Sequence, residues 1–186
     1  MTPVYRFATH DDIHALIALV TAAYRGDASR QGWTTEADLL DGQRIDADML
    51  RADLDAPDSR ILLASEADDD GRAIGCARIA VVAADDGVAT AEFGMFSIRP
   101  DLQGAGLGRM LLAEAERVAR DTLGAARMRM TVIDCRDELL AWYVRRGYRR
   151  TGVFKPFPYD DPRYGVPKRP GLRFEVLDKP LPETAA

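Results

Sequence analysis

Residues 101–110 read DLQGAGLGRM, with Gly104, Gly106 and Gly108 at alternate positions. They follow an apolar run, Ala91–Ile98, and precede a stretch of helical periodicity. Glycine weakens strands and helices alike, so three at one junction mark backbone that must stay bare. A strand, a glycine turn and a helix N-terminus together make an anion site. The first helical turn has unpaired N–H groups and a partial positive charge, and a missing Cβ lets a phosphate approach them. A P-loop would continue with Gly-Lys-Ser or Gly-Lys-Thr, which is absent here. A dinucleotide loop of a nicotinamide oxidoreductase would read G-x-G-x-x-G at the start of a parallel βαβ unit. Here Arg109 stands in place of the third glycine, and the segments before the loop read as antiparallel strands. A tight turn without a ligand is the remaining bland alternative.

Other groups carry less chemistry. Arginine clusters in RMRM and YVRRGYRR. Each is either a solvated face or a contact for a small anion. The two histidines, His10 and His14, share at most one helix face and cannot make a metal site without carboxylates, so none is expected. Cys76 and Cys135 lie far apart and read as the reduced thiols of a cytoplasmic protein. The formal net charge of −5 over 186 residues argues against nucleic acid as a partner. No apolar run approaches the roughly 20 residues that span a bilayer. The beginning, MTPVYRFATHDD, lacks a basic stretch followed by an apolar one, so neither a signal peptide nor a membrane partner is expected.

The elements that must position the loop follow from periodicity. VYRFA reads as a strand. In DDIHALIALVTAAYRG, Ile13, Leu16, Ile17, Val20 and Tyr24 repeat at helical spacing up to Gly26. WTTEADLL and DADMLRADL predict one or two short helices, with Thr35 and Asp38 resembling a cap. RILLASEA, AIGCARIAVVA and TAEFGMFSI then read as an antiparallel meander with turns at DDDG and DDG. Leu107, Leu111, Ala115, Val118 and Leu123 form the apolar face of a helix that ends at Gly124. MRMTVI is a strand, DELLAWYVRR a helix stopped by Gly147, and YRRTGVF and LRFEVLD are closing strands. Between these two lies a long irregular loop, KPFPYDDPRYGVPKRPG, a type of segment that is often functional. The order β-α-α-β-β-β-α-β-α-β-β predicts an α/β fold. Its sheet is mixed, mostly antiparallel and flanked by helices, and residues 1–186 form a single domain.

Gln103-x-x-Gly106-x-Gly108 resembles the Q/R-x-x-G-x-G/A pattern of the GNAT superfamily of N-acetyltransferases. LAWYVRRGY resembles that superfamily's helix and turn, and the order of elements is similar from Val4 to Asp178. The resemblance implies an acetyl-CoA-dependent enzyme. Backbone N–H groups from Gln103, Gly104, Ala105, Gly106, Leu107, Gly108 and Arg109 would cradle the pyrophosphate. The strand edge Phe96, Ser97 and Ile98 would pair with the amides of the pantetheine arm. The Arg109 side chain either reaches a phosphate or is solvated.

Acetyl transfer to an amine asks for a base, donors to an oxyanion and an acid for the leaving thiolate. By resemblance, Glu92, eleven residues before Gln103, is the base, directly or through water. The alternative for it is a cross-strand salt bridge. Plain alternation would put Glu92, Gly94, Phe96 and Ile98 on one face and Phe93, Met95 and Ser97 on the other, unless a bulge intervenes. Tyr143, four residues before Gly147, is the implied acid; the alternative is a core aromatic. Trp142 is read as packing. A backbone N–H near Phe96 is the implied oxyanion donor. Arg136 stands where the family usually has an asparagine, and reaches either a substrate anion or the helix start. Cys135 beside it is read as buried rather than nucleophilic. Acceptor choice in the family lies with the N-terminal helices and the last hairpin, which here offer Tyr24, Arg30 and Trp33, and Phe157, Tyr159 and Tyr164. Aromatics with arginine suit a small primary amine with an apolar body or a carboxylate. A protein acceptor and a non-catalytic acyl-CoA-binding module are the alternatives. The acyl length and the oligomeric state, a homodimer included, stay open.

Overall fold

The computed structural model describes residues 2–66, 72–84 and 86–182. Seven strands form one sheet: β1 (Pro3–Phe7), β3 (Ser59–Glu66), β4 (Ala73–Val82), β5 (Thr90–Ile98), β6 (Arg127–Ile133), β7 (Arg149–Pro156) and β9 (Arg173–Pro180). Their spatial order is β1-β3-β4-β5-β6-β9-β7. Two-residue strands β2 (Leu40–Asp41) and β8 (Val166–Pro167) pair separately and tie the N-terminal half to the proline-rich loop. The helices are α1 (Ile13–Tyr24), the single turn α2 (Gly26–Ser29), α3 (Ala47–Asp55), α4 (Leu107–Asp121) and α5 (Asp137–Val144). This is the expected mixed, mostly antiparallel α/β sheet. The DDDG turn and Asp85 of the DDG turn lie outside the described residues.

β3 reads as a continuous apolar run because it is covered on both faces. Leu62 and Ala64 enter a core with α4 and α5, while Ile61 and Leu63 enter a second core with α1 and α3. The apolar stripe of α4 buries Leu107, Leu111, Leu112, Ala115, Val118 and Ala119. α4 is the crossover that the one parallel pair, β5 with β6, requires.

Two local expectations change. WTTEADLL is not a helix. Thr35 Oγ1 instead accepts from the Ala37 N–H (3.0 Å) and bonds the Ser29 hydroxyl (2.6 Å). Glu36 turns inward to two arginines, so side-chain bonds compete with the helical ladder. The second change is in β5, whose alternation breaks. Cys76 faces Ser97 but Arg78 faces Gly94, so Met95 and Phe96 together oppose Ala77 in a bulge. Met95 takes φ +51°, a left-handed conformation that costs a non-glycine residue about 1–3 kcal/mol. Its carbonyl accepts from Ser97 Oγ (3.2 Å) and Cys76 Sγ (3.7 Å). As a result Phe93, Phe96 and Ile98 face the α4–α5 side, and Met95 faces the α1–α3 side.

Candidate active site

The parallel pairing of β5 and β6 runs from Thr90 with Arg127 to Phe93 with Met130. Beyond that the strands part, and two clefts meet in the gap. The first, about 330 Å³, is walled by the glycine loop, α4 and α5. The second, about 430 Å³, is walled by α3, β4, β6 and the proline-rich loop. Tyr24, Phe96, Arg136, Leu139 and Tyr143 line both.

In the first cleft, Gly104 and Gly106 sit at φ +86° and +87°, with open space where a Cβ would stand. Gly106 is the N-cap of α4 and supplies no side-chain cap. The helical ladder begins at Arg109 and Met110, whose N–H groups reach Gly106 O at 3.1 and 3.2 Å. Leu107 and Gly108 therefore present N–H groups ahead of it. Gln103 spans the opening: Nε2 donates to Ile98 O (3.3 Å), and Oε1 accepts from the Thr34 N–H (3.4 Å). Gly32 permits this approach, since a Cβ there would lie 2.6 Å from Gln103 Oε1. Phe96, Ile98, Gln103, Gly104, Gly106, Gly108 and Arg109 all line the cleft; Ser97, Ala105 and Leu107 do not.

Arg145 and Arg146 join Arg109 there, and none of the three has a carboxylate within 4 Å among the described residues. The Arg146 guanidinium lies 3.4 Å over the Trp142 ring. Burial, with the neighbouring charges of Arg145 and Arg109, holds its pKa below the ordinary arginine value. The RR of YVRRGY is thus a cluster facing a cleft, and Trp142 is a wall of that cleft, 6.0 Å from Phe96 and 6.5 Å from Trp33.

The shared wall is packed and hydrogen-bonded. Tyr143, 4% exposed, packs edge-on against Trp142 (5.0 Å) and Tyr148 (5.7 Å). Its hydroxyl has no hydrogen-bond partner among the described residues. Burial, then the nearby Tyr24, pushes this phenol well above its usual range, so it stays protonated. Tyr24 Oη donates to Phe96 O (3.0 Å) and pins the bulge. Arg136 donates to Glu36 Oε1 (2.7 Å) and Thr34 Oγ1 (2.8 Å) at the start of α5. Arg25 donates to Glu36 Oε2 (3.0 Å).

Burial alone would raise the Glu36 carboxyl, but Arg136, Arg44 and Arg25 together hold it below the ordinary carboxylate range. A depressed folded-state pKa contributes stability above the unfolded value and loses it as pH falls through the folded one. Glu36→Gln should leave buried guanidiniums unneutralised and cost about 3–5 kcal/mol. The expected fall in Tm is roughly 6–20 °C at neutral pH, shrinking in acid. An unchanged Tm in thermal denaturation would show that the network adds nothing.

In the second cleft, Glu92 Oε1 lies 3.6 Å from Arg78 Nη1, too far for a hydrogen bond. Arg78 is bound instead to Asp53 Oδ1 at 2.6 Å. Phe157 and Tyr164 line this cleft. Arg30 lies outside both clefts, paired with Asp38 (2.7 Å) and near Asp27 (3.8 Å). Tyr159 also lies outside. Its hydroxyl accepts from the Leu172 N–H (2.6 Å), and its ring packs on Phe157. Arg44 lines the second cleft, 4.8 Å over the Tyr24 ring; in sequence it is an isolated loop arginine with no signal. Burial pushes the Cys76 thiol up to about 12, and Cys135 lines neither cleft. His10 pairs with Asp55 at 3.0 Å. Among the described residues no helix is long and apolar enough to cross a membrane.

No curated protein matches the chain. The fold is similar to that of the Salmonella typhimurium protein yncA, solved with its cofactor acetyl-CoA (22% identity, 100% of this chain and 98% of that one, TM-score 0.67). It is also similar to a ribosomal-protein-alanine N-acetyltransferase of Brucella melitensis (18%, 96% and 99%, 0.68). A third similar structure is nourseothricin acetyltransferase (20%, 98% and 100%, 0.65). The model of the acetyltransferase (GNAT) family matches residues 29–148, which include the glycine loop, Glu92 and Tyr143. The chain therefore belongs to the GNAT acetyltransferases, acyl-CoA-dependent enzymes whose co-substrate is acetyl-CoA.

Proposed function

We propose that the protein acetylates the primary amine of a small molecule by direct attack, with Glu92 as base and Tyr143 as acid. The observation that carries this is the meeting of two clefts at one wall. The first cleft suits a phosphate-bearing ligand, the second holds a carboxylate, and a protonated phenol stands between them.

The residues present fit acetyl-CoA. Three arginines without carboxylate partners among the described residues and the leading N–H groups of α4 suit a pyrophosphate. The strand edge that opens beyond Phe93 offers backbone to an amide-bearing arm. When bound, acetyl-CoA supplies an activated acyl thioester. The chain's own groups do the rest. Glu92 accepts the proton of an alkylammonium, whose pKa near 10 otherwise keeps it from attacking. Backbone N–H near Phe96, fixed by the bulge, is preorganised toward developing negative charge. Tyr143 holds its proton at Oη, available to a departing thiolate.

Support for a small acceptor comes from the roof of the second cleft. Phe157 and Tyr164 wall it. The β2–β8 clasp, reinforced by Lys168 Nζ bonded to Ala37 O (2.7 Å) and paired with Asp41 (2.9 Å), holds the loop in place. The buried and half-buried thiols suit the reducing cytoplasm. Thiol release with acetyl-CoA and a panel of amines tests the reading. Amine-dependent release with small amines is expected. Release only with peptide or protein N-termini, or at the hydrolytic background with everything, would overturn it.

A further inference from the structure

The charges around the second cleft are unevenly neutralised. Arg78 is bound to Asp53 and stands beside Glu92. Arg136 is bound to Glu36 and Thr34, and Arg25 is bound to Glu36 as well. Arg44 has no carboxylate within 4 Å among the described residues, and its guanidinium rests on the Tyr24 ring at 4.8 Å. Three guanidiniums, Arg136, Arg44 and Arg25, thus act on the single carboxylate of Glu36. Of these only Arg44 and Arg136 line the cleft beside Glu36, so one positive charge is left over at this end of it. One lining N–H group here, Arg136 Nε, is also buried without a partner among the described residues, an arrangement that costs free energy unless a ligand acceptor answers it. A guanidinium over an aromatic face is attracted to the ring and keeps its planar fork of donors for an anion. Glu92, which takes no hydrogen bond among the described residues, lines the same cleft.

We propose that the acceptor is an amino acid or a close analogue, its amine at Glu92 and its carboxylate, or an equivalent oxyanion, on Arg44. This rests on the reading of the second cleft as the acceptor site and adds the chemical class of the acceptor. A neutral or purely cationic amine would leave the surplus charge at Arg44 uncompensated. A zwitterion answers both ends. A site built around a charged partner discriminates strongly against the analogue that lacks it, because the site's own groups are then left unpaired.

The test compares the common L-amino acids with the amines that their decarboxylation gives, by thiol release with acetyl-CoA. For each pair that turns over, the acid should exceed its amine in kcat/KM by at least tenfold. Arg44→Gln should shrink that ratio at least tenfold, and Arg44→Lys should restore part of it through charge without the fork. Amines that match or exceed their acids would overturn the inference and leave the proposed small-amine reaction standing; this wild-type comparison needs no variant. A ratio unmoved in folded Arg44→Gln would equally overturn it. No turnover of any acid or amine, while acetyl-CoA still raises the melting temperature, would overturn the small-amine reading and this inference with it.

Discussion

Glu92→Gln should lower kcat by roughly 10²–10⁴, the range for loss of a general base. The substitution keeps size and shape and removes only the charge and the capacity to take a proton. Stability should hardly change. The ion pair with Arg78 is long, at 3.6 Å, and its members are 26% and 36% exposed; such pairs contribute about 0–1 kcal/mol. Arg78 also keeps its shorter bond to Asp53. A normal rate with a lower Tm would make Glu92 a structural partner of Arg78 and remove it from the mechanism.

Tyr143→Phe should lower turnover by about 10- to 10³-fold with little change in acetyl-CoA affinity. The structure makes this variant unusually clean. The edge-on contacts with Trp142 and Tyr148 belong to the ring and survive. The hydroxyl has no partner among the described residues, so its removal orphans nothing in the protein. A core aromatic would therefore tolerate the change, with Tm steady or slightly higher and turnover intact. If the phenol protonates the thiolate, the rate loss should shrink with a thioester whose thiol is more acidic, because a better leaving group needs less help. Full activity of the Phe variant with acetyl-CoA would leave water as the proton donor.

What was legible in the sequence was local. The glycine loop announces itself because only bare backbone tolerates φ near +87° at Gly106. α4 is read from its stripe and β3 from its unbroken apolar run, since both patterns record burial directly. Gly147, Gly124 and the proline-rich loop mark their own boundaries. The first cleft lies beside these elements, and Phe96, Ile98, Gln103, Gly104, Gly106, Gly108 and Arg109 of that segment line it. The second cleft is assembled from segments far apart in sequence. Arg44, Glu36 and Asp53 meet Glu92 and Phe157 only through the sheet, and no spacing encodes that. Arg30 and Tyr159 have the right chemistry for the site, but Asp38 and the Leu172 N–H hold them elsewhere. The bulge at Met95 and Phe96 is equally silent, because its signal is a one-residue slip against β4. WTTEADLL misleads because its polar side chains bond the backbone and two distant arginines.

The five residues shared by the two clefts have a kinetic meaning. Apart from Tyr24, Phe96, Arg136, Leu139 and Tyr143, the linings are separate: one recedes toward α4 and α5, the other toward α3 and the proline-rich loop. With acetyl-CoA in one cleft and the amine in the other, as proposed, both reactants have room to be resident at once. The thiol of Cys76 is buried and that of Cys135 stands outside both clefts, so among the described residues no thiol lies in the gap to carry an acyl group between half-reactions. With direct attack as proposed, a sequential, ternary-complex enzyme is expected. Its double-reciprocal plots intersect where those of a ping-pong enzyme run parallel.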